Sequence, residues 1–139
     1  RTGQAASVED GAILIPGDLR NAAELKDILA RIRPDAVLHF AGATIVPESV
    51  SKPDLYYGIN TIGGYNLLEA ARAAGVSRFI VSSTAAVYGA PEAMPIMEST
   101  PTRPVTPYGR SKLMFEQLLE DYAVAYGIRW IAFRYFNVA

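Results

Sequence analysis

The sequence contains no cysteine and a single histidine, His39. The first absence excludes a disulfide framework, thiolate zinc sites and cysteine nucleophiles. The second leaves no His-based metal site, so no metal is expected. Charge of neither sign dominates: 13 Lys and Arg against 14 Asp and Glu give a net charge of −1. No polybasic surface for nucleic acid or anionic lipid follows from that balance. No apolar run approaches the ~18 residues of a membrane span, and no signal peptide is evident. A soluble, cytoplasmic protein is therefore expected. The chain opens on Arg1 rather than Met, which reads as the front of a longer protein being absent.

Half of the 139 residues are apolar, enough for one domain or part of one. Residues 1–11 are small and polar and read as a loop. Residues 12–15, Ala-Ile-Leu-Ile, form a short apolar run closed by Pro16-Gly17, as a buried strand would be. Asn21 is a good helix N-cap with Glu24 three residues on, as in a capping box. Leu25, Ile28, Leu29 and Ile32 then keep helical spacing until Arg33-Pro34-Asp35 stops it. Residues 36–40 read as the second strand, with the loop 41–44 beyond its C-terminal end. Residues 53–74 read as a long helical region ended near Gly75. Gly58, Gly63 and Gly64 interrupt that region at about 1 kcal/mol each, either for a close approach or at a bend. Residues 78–82 form the third strand and 128–133 the fourth. Between them, 90–107 holds Pro91, Pro95, Pro101, Pro104 and Pro107 and reads as an ordered loop. Strands alternating with helices predict βαβ units, hence an α/β, doubly wound, Rossmann-like parallel sheet covered on both faces.

The last helix, opened by Thr106 and Pro107 and running to about residue 126, carries the chemistry. Tyr108 and Lys112 are four residues apart and share one helix face. A phenol titrates near pH 10 and is a poor base at neutral pH. An ammonium within about 4–6 Å favours the phenolate, and the helix N-terminus pushes the same way. Such a tyrosine can take a proton from an alcohol and return it. In parallel sheets ligands bind beyond the C-terminal strand ends, where Asp18, Gly42, Thr84 and Asn137 all fall. Thr84 offers a hydroxyl beside the pair. Asp18 is either an acceptor for an exocyclic amine or a turn residue. Phe40-Ala41-Gly42 permits a close backbone approach or simply a tight turn. Asn137 is an amide contact to a polar substrate or a turn former. His39, inside an apolar strand, reads as core, as do Trp130 and most tyrosines.

Seven stretches carry a resemblance along nearly the whole chain. They are Gly17-Asp18-Leu19-Arg20-Asn21, His39-Phe40-Ala41-Gly42, Pro47-Glu48-Ser49-Val50 and Lys52-Pro53 with Tyr56-Tyr57 and Asn60. The others are Ser82-Ser83-Thr84-Ala85-Ala86-Val87-Tyr88-Gly89, Pro107-Tyr108-Gly109-Arg110-Ser111-Lys112 and Arg134-Tyr135-Phe136-Asn137. In this order they resemble the extended short-chain dehydrogenase/reductase superfamily, most closely its nucleotide-sugar 4-epimerases. The resemblance implies NAD as cofactor and a UDP-hexose (UDP-glucose or UDP-galactose) as substrate. It implies that Tyr108 is the acid/base, that Lys112 holds the nicotinamide ribose, and that Thr84 bonds the sugar's 4-oxygen. It implies that Asp18 and Leu19 flank the adenine, that Phe40, Ala41, Gly42 and Asn60 line the dinucleotide, that Phe136 lies by the nicotinamide, and that Asn137 meets the sugar. A homodimer through the helices starting near Pro53 and Pro107 is implied as well.

Related dehydratases and decarboxylases carry an acidic residue just after the serine or threonine. Here Ala85 and Ala86 stand there, which favours epimerisation over those activities or a dehydrogenase. Thr44 departs from a lysine that several epimerases place near the cofactor. A non-catalytic relative would be expected to lack Tyr108 or Lys112, and both are present. The family's glycine-rich phosphate loop and the acidic residue that reads the adenosine ribose have no counterpart here. Residues 1–139 therefore read as part of an NAD-binding Rossmann domain, an internal piece with a gap in its sheet, inactive on its own.

Overall fold

The computed structural model describes residues 8–92 and 94–136. In order these form α1 (Ala22–Ile32), β1 (Val37–His39), α2 (Val46–Ser51), α3 (Pro53–Tyr56), a π-helical turn (Tyr57–Ile62) and α4 (Gly63–Ala73). They continue with β2 (Arg78–Thr84), a 3-10 turn (Ala85–Tyr88), α5 (Pro107–Tyr126) and β3 (Arg129–Tyr135). The three strands make one parallel sheet in the order β1-β2-β3. His39 lies opposite Val81 and Thr84 opposite Tyr135, so all three strands end on the same edge.

The cap signals act as the sequence suggests. The Asn21 side chain accepts from the Glu24 N–H at 3.2 Å, and Arg33 closes α1 in the left-handed conformation with φ 49°. The Thr106 hydroxyl accepts from the Gly109 N–H at 3.2 Å, Pro107 stands in the first turn, and Gly127 ends α5 with φ 69°. Each capping contact satisfies a helix-end group that would otherwise face water.

Leu25 and Leu29 of α1, Leu67, Leu68 and Ala71 of α4, and Phe115 and Leu119 of α5 pack on Phe79 and Val81 of β2. Phe79 is 2% exposed and Val81 1%. The helices thus cover one face of the sheet. On the other, Leu38, Ile131 and Phe133 are exposed, so among the described residues the two-sided cover expected from the strand pattern is present on one side. His39 lies in the core against the edge of Phe115, ring centroids 5.3 Å apart.

Two expectations are corrected. Residues 12–15 form no strand: Ile13 is 87% exposed and Leu14 54%, and among the described residues β1, an edge of the sheet, pairs only with β2. Without a neighbouring backbone the run has no ladder to join, so Asp18 does not follow a strand. The helical region begins earlier and is broken differently: α2 precedes Pro53, and the turn at 57–62 is π-helical, with the Gly63 N–H donating to the Gly58 carbonyl. The glycine question divides by position. A Cβ on Gly63 would lie 2.9 Å from the Leu19 Cβ, and one on Gly64 2.7 Å from the Phe115 ring, whereas one on Gly58 meets nothing within 4 Å. Gly63 and Gly64 are there for close approach.

Candidate active site

Thr84, Tyr108 and Lys112 line one cleft of about 610 Å³, together with Ser82, Ser83, Ala85, Ala86, Thr44, Val46, Tyr135 and Phe136. The convergence has a simple cause. Thr84 is the last residue of β2, and α5 starts back above that same strand edge because β2 and β3 run parallel. Pro107 and the Thr106 cap fix where its first turn begins, which sets Tyr108 over the strand ends. Lys112 follows one turn later on the same face.

Each side chain is held. Lys112 is 6% exposed, and its Nζ donates to the Ser82 carbonyl at 2.9 Å. Burial brings its pKa down to about 8, while the carboxylate of Glu116 opposes the fall. The same lysine, after burial, helps lower His39 to about 4, so His39 is neutral at pH 7 and not a proton donor. The Thr84 Oγ accepts from the Ala86 N–H at 3.1 Å, which turns the chain away at the strand end and leaves the hydroxyl at the cleft. Tyr108 packs edge-on against the buried ring of Tyr56, centroids 6.3 Å apart, and the Tyr56 hydroxyl donates to the Ile45 carbonyl at 2.6 Å.

Asn60 organises the second wall. It is 2% exposed and grips the peptide of Ala43 from both sides: its Oδ1 accepts from the Ala43 N–H at 2.8 Å, and its Nδ2 donates to the Ala43 carbonyl at 3.0 Å. The same Nδ2 reaches the Ser111 Oγ at 3.0 Å, which in turn donates to the Tyr108 carbonyl at 2.8 Å. A Cβ on Gly42 would stand 2.9 Å from the Asn60 Oδ1 and 3.4 Å from the Lys112 Nζ. The loop after β1, the π turn and α5 therefore meet at Gly42, and any other residue there would crowd the Asn60 carboxamide.

Of the remaining expected residues, Phe136 alone lines this cleft among those described. Phe40, 54% exposed, and Ala41 continue from the end of β1 toward Gly42. Asp18 and Leu19 lie before α1: the Asp18 carboxylate takes a bidentate ion pair from Arg20, 2.6 Å at its shortest, and Leu19 packs on Gly63. Asn137 lies outside the described residues. Among the described residues, no cluster of His, Cys, Asp and Glu could hold a metal ion, and no helix is long and apolar enough to cross a membrane.

Sequence reasoning missed a buried polar network behind the cleft. Glu116, 4% exposed, accepts from the Ser83 hydroxyl and from Arg134 at 2.6 Å, and Arg134 also donates to the Tyr88 hydroxyl at 2.9 Å. Its only sequence signal is that Glu116 stands four residues beyond Lys112, on the buried face of α5.

The arrangement joins a hydroxyl, a phenol and a buried ammonium at one strand edge, with alanines in place of further acids. Known proteins resemble the chain as a whole. A UDP-glucose 4-epimerase of Azospirillum brasilense is 49% identical over 137 residues, covering 99% of this chain and 39% of that protein. The crystal structure of the Brucella ovis UDP-glucose 4-epimerase in complex with NAD has TM-score 0.93 at 43% identity, over 97% of this chain and 41% of that one. The Thermotoga maritima UDP-glucose 4-epimerase with UDP-glucose has TM-score 0.95 at 31% identity, over 99% of this chain and 45% of that one. The chain thus spans about two fifths of the length of these relatives, and its fold is their Rossmann-like fold, with the sheet incomplete. Residues 1–139 match throughout the NAD dependent epimerase/dehydratase family, and the chain belongs to that family.

Proposed function

We propose that this chain is the catalytic part of the NAD-binding domain of a UDP-hexose 4-epimerase, an isomerase of galactose metabolism. The observation that carries the reading is the cleft in which Thr84, Tyr108 and Lys112 stand together while Ala85 and Ala86 supply no further acid. Names of relatives support the substrate class: similar proteins are UDP-glucose 4-epimerases, and one was solved with UDP-glucose.

The residues present fit a nicotinamide dinucleotide. Lys112 commits one of its three ammonium donors to Ser82 and borders the cleft, where a ribose diol could take the others. Phe136 and Val46 give the cleft apolar surface, suited to a nicotinamide ring, and Gly42 with Asn60 shapes the wall beside Lys112. Asp18, Leu19, Phe40 and Ala41 are assigned to the rest of the dinucleotide. NAD, when bound, accepts a hydride from the sugar's C4 and gives it back. In this mechanism Tyr108 takes the proton of the 4-hydroxyl as the hydride leaves and returns it afterwards. Thr84 donates to the 4-oxygen and orients it, Lys112 brings a positive charge to the cleft, and Asn137 contacts the nucleotide sugar. Ala85 and Ala86 leave the keto intermediate with no acid at C5 or C6, so its available fate is reduction on either face.

The protein at the full length of its relatives, given UDP-galactose, should form UDP-glucose without net reduction of added NAD. Net NADH release or a 4-keto-6-deoxy product overturns the reading. Tyr108→Phe should lower kcat by about 10²- to 10⁴-fold, the usual contribution of a placed acid/base.

The same protein is proposed to be a homodimer through the helices starting near Pro53 and Pro107. Ile62, Tyr65 and Met114 stay exposed on those neighbouring stretches, and Thr61 and Ser111 join them through a 3.1 Å hydrogen bond. Sedimentation as a monomer would count against it. We assign the protein to the cytoplasm.

A further inference from the structure

Glu116 is a carboxylate with almost no exposure, one turn beyond Lys112 on the same face of α5, and the proton transfers above do not use it. Burying such a charge is costly unless it is paired and hydrogen-bonded. Its partners are specific. The Ser83 hydroxyl donates to Oε1; the Arg134 Nε donates to Oε1 at 3.3 Å and to Oε2 at 3.2 Å, and its terminal nitrogen donates to Oε2 at 2.6 Å. Ser83 directly precedes Thr84 in β2 and lies opposite Arg134 in β3. Arg134 is held in turn by the Tyr88 hydroxyl at 2.9 Å, on the turn that follows Thr84. One carboxylate therefore fastens α5 to both strand ends that frame the cleft.

We propose that Glu116 is a positioning residue of the active site: it clamps the strand ends bearing Thr84 and Phe136 to the helix bearing Tyr108 and Lys112, and sets a negative charge behind the lysine. The proposal rests on the reading of Tyr108 and Lys112 as the proton-handling pair. The groups facing Lys112 are His39 from β1, neutral at pH 7, and Glu116 from its own helix, with Tyr108 lining the same cleft. Those facing Glu116 are Lys112 one turn back on α5, Arg134 from β3 and, through Arg134, Tyr88, with Glu98 lining the same cavity. Burial works against the lysine's charge, and Glu116 is the one anion in this set that works for it. Arg134 partly offsets that anion while holding it in place.

Charge and clamp are separable by sign. In full-length protein labelled with 13C at the lysine ε-carbons, the Lys112 resonance, assigned with Lys112→Arg, is titrated by NMR. Glu116→Gln keeps the shape and removes the charge, so Lys112 should titrate lower by about one pH unit, the smallest effect typical of an opposite charge at 4–6 Å. Arg134→Gln removes the offsetting cation and keeps a donor, so Lys112 should titrate higher than in the unaltered protein. The high-pH limb of kcat/KM should move in the same two directions. A merely structural Glu116 gives shifts of the same sign in both variants, or none, and either result overturns the proposal. If Glu116→Gln does not fold, the direction of the Arg134→Gln shift decides alone. Because the titration is read on the lysine, it stands whether or not the reaction proves to be epimerisation.

Discussion

Residues 13–15, Ile-Leu-Ile, and 79–81, Phe-Ile-Val, are both wholly apolar and end in opposite states. Phe79 and Val81 are buried, with β1 on one side and β3 on the other. Ile13 is 87% exposed and joins no ladder. The difference is in the neighbours. A strand's backbone groups need partners across the sheet, and an apolar run that finds none keeps its side chains in water whatever their hydrophobicity. Residues 79–81 also sit over α4 and α5, so pairing and packing reinforce each other there.

That contrast can be tested from the strong side first, in urea unfolding followed by the fluorescence of Trp130, the single tryptophan. Phe79→Ala should cost about 3–5 kcal/mol, the usual result of emptying a packed aromatic site. A loss below about 1 kcal/mol would mean that the centre of the sheet is no better packed than its edge.

The next effect comes from acid. His39 titrates near 4 in the fold, against 6.5 in the unfolded chain. The stability tied to its neutral form is therefore complete above pH 6.5 and lost as pH falls toward 4, by about 3 kcal/mol at most at 1.36 kcal/mol per pH unit. His39→Gln should flatten this part of the profile; an unchanged slope would assign the acid sensitivity elsewhere.

A smaller loss is expected at the helix beside the unpaired run. Asn21→Ala removes the cap of α1 and should cost about 1 kcal/mol, showing that α1 is anchored by its own end and by the core rather than by residues 12–15. Smallest of all, Ile13→Ala should change stability by no more than about 0.5 kcal/mol, as exposed positions generally do. A loss near 2 kcal/mol would show that the run has found cover.

The same physics explains which parts of the molecule were legible in the sequence. Local signals survived: Asn21 and Thr106 mark helix starts through contacts within three residues, so the start of α5 could be placed closely. The cleft was legible because the strand ends of a parallel sheet share an edge, which brings Thr84 to Tyr108 and Lys112. Long-range facts were not legible. Residues 12–15 depend on a partner strand, and Glu116 with Arg134 looks like surface charge until the fold sets a buried ion pair across 18 residues of sequence. α2 was missed because its six residues show no apolar stripe and its one buried side chain is Ser49.

The π turn at Tyr57–Ile62 has one more consequence. A hydrogen bond reaching five residues back admits about one residue more than an α-turn does, and each residue of an α-helix turns through roughly 100°. The two halves of this helical run are therefore out of phase. Before the offset, Tyr56 points beneath Tyr108; after it, Leu67, Leu68 and Ala71 face the core. Asn60 sits within the offset itself, aimed at the loop after β1. A single regular helix has one inward face to give. This one serves a core, a tyrosine and a loop, and deleting one residue at Gly58 would restore its regularity while turning Asn60 away from Ala43.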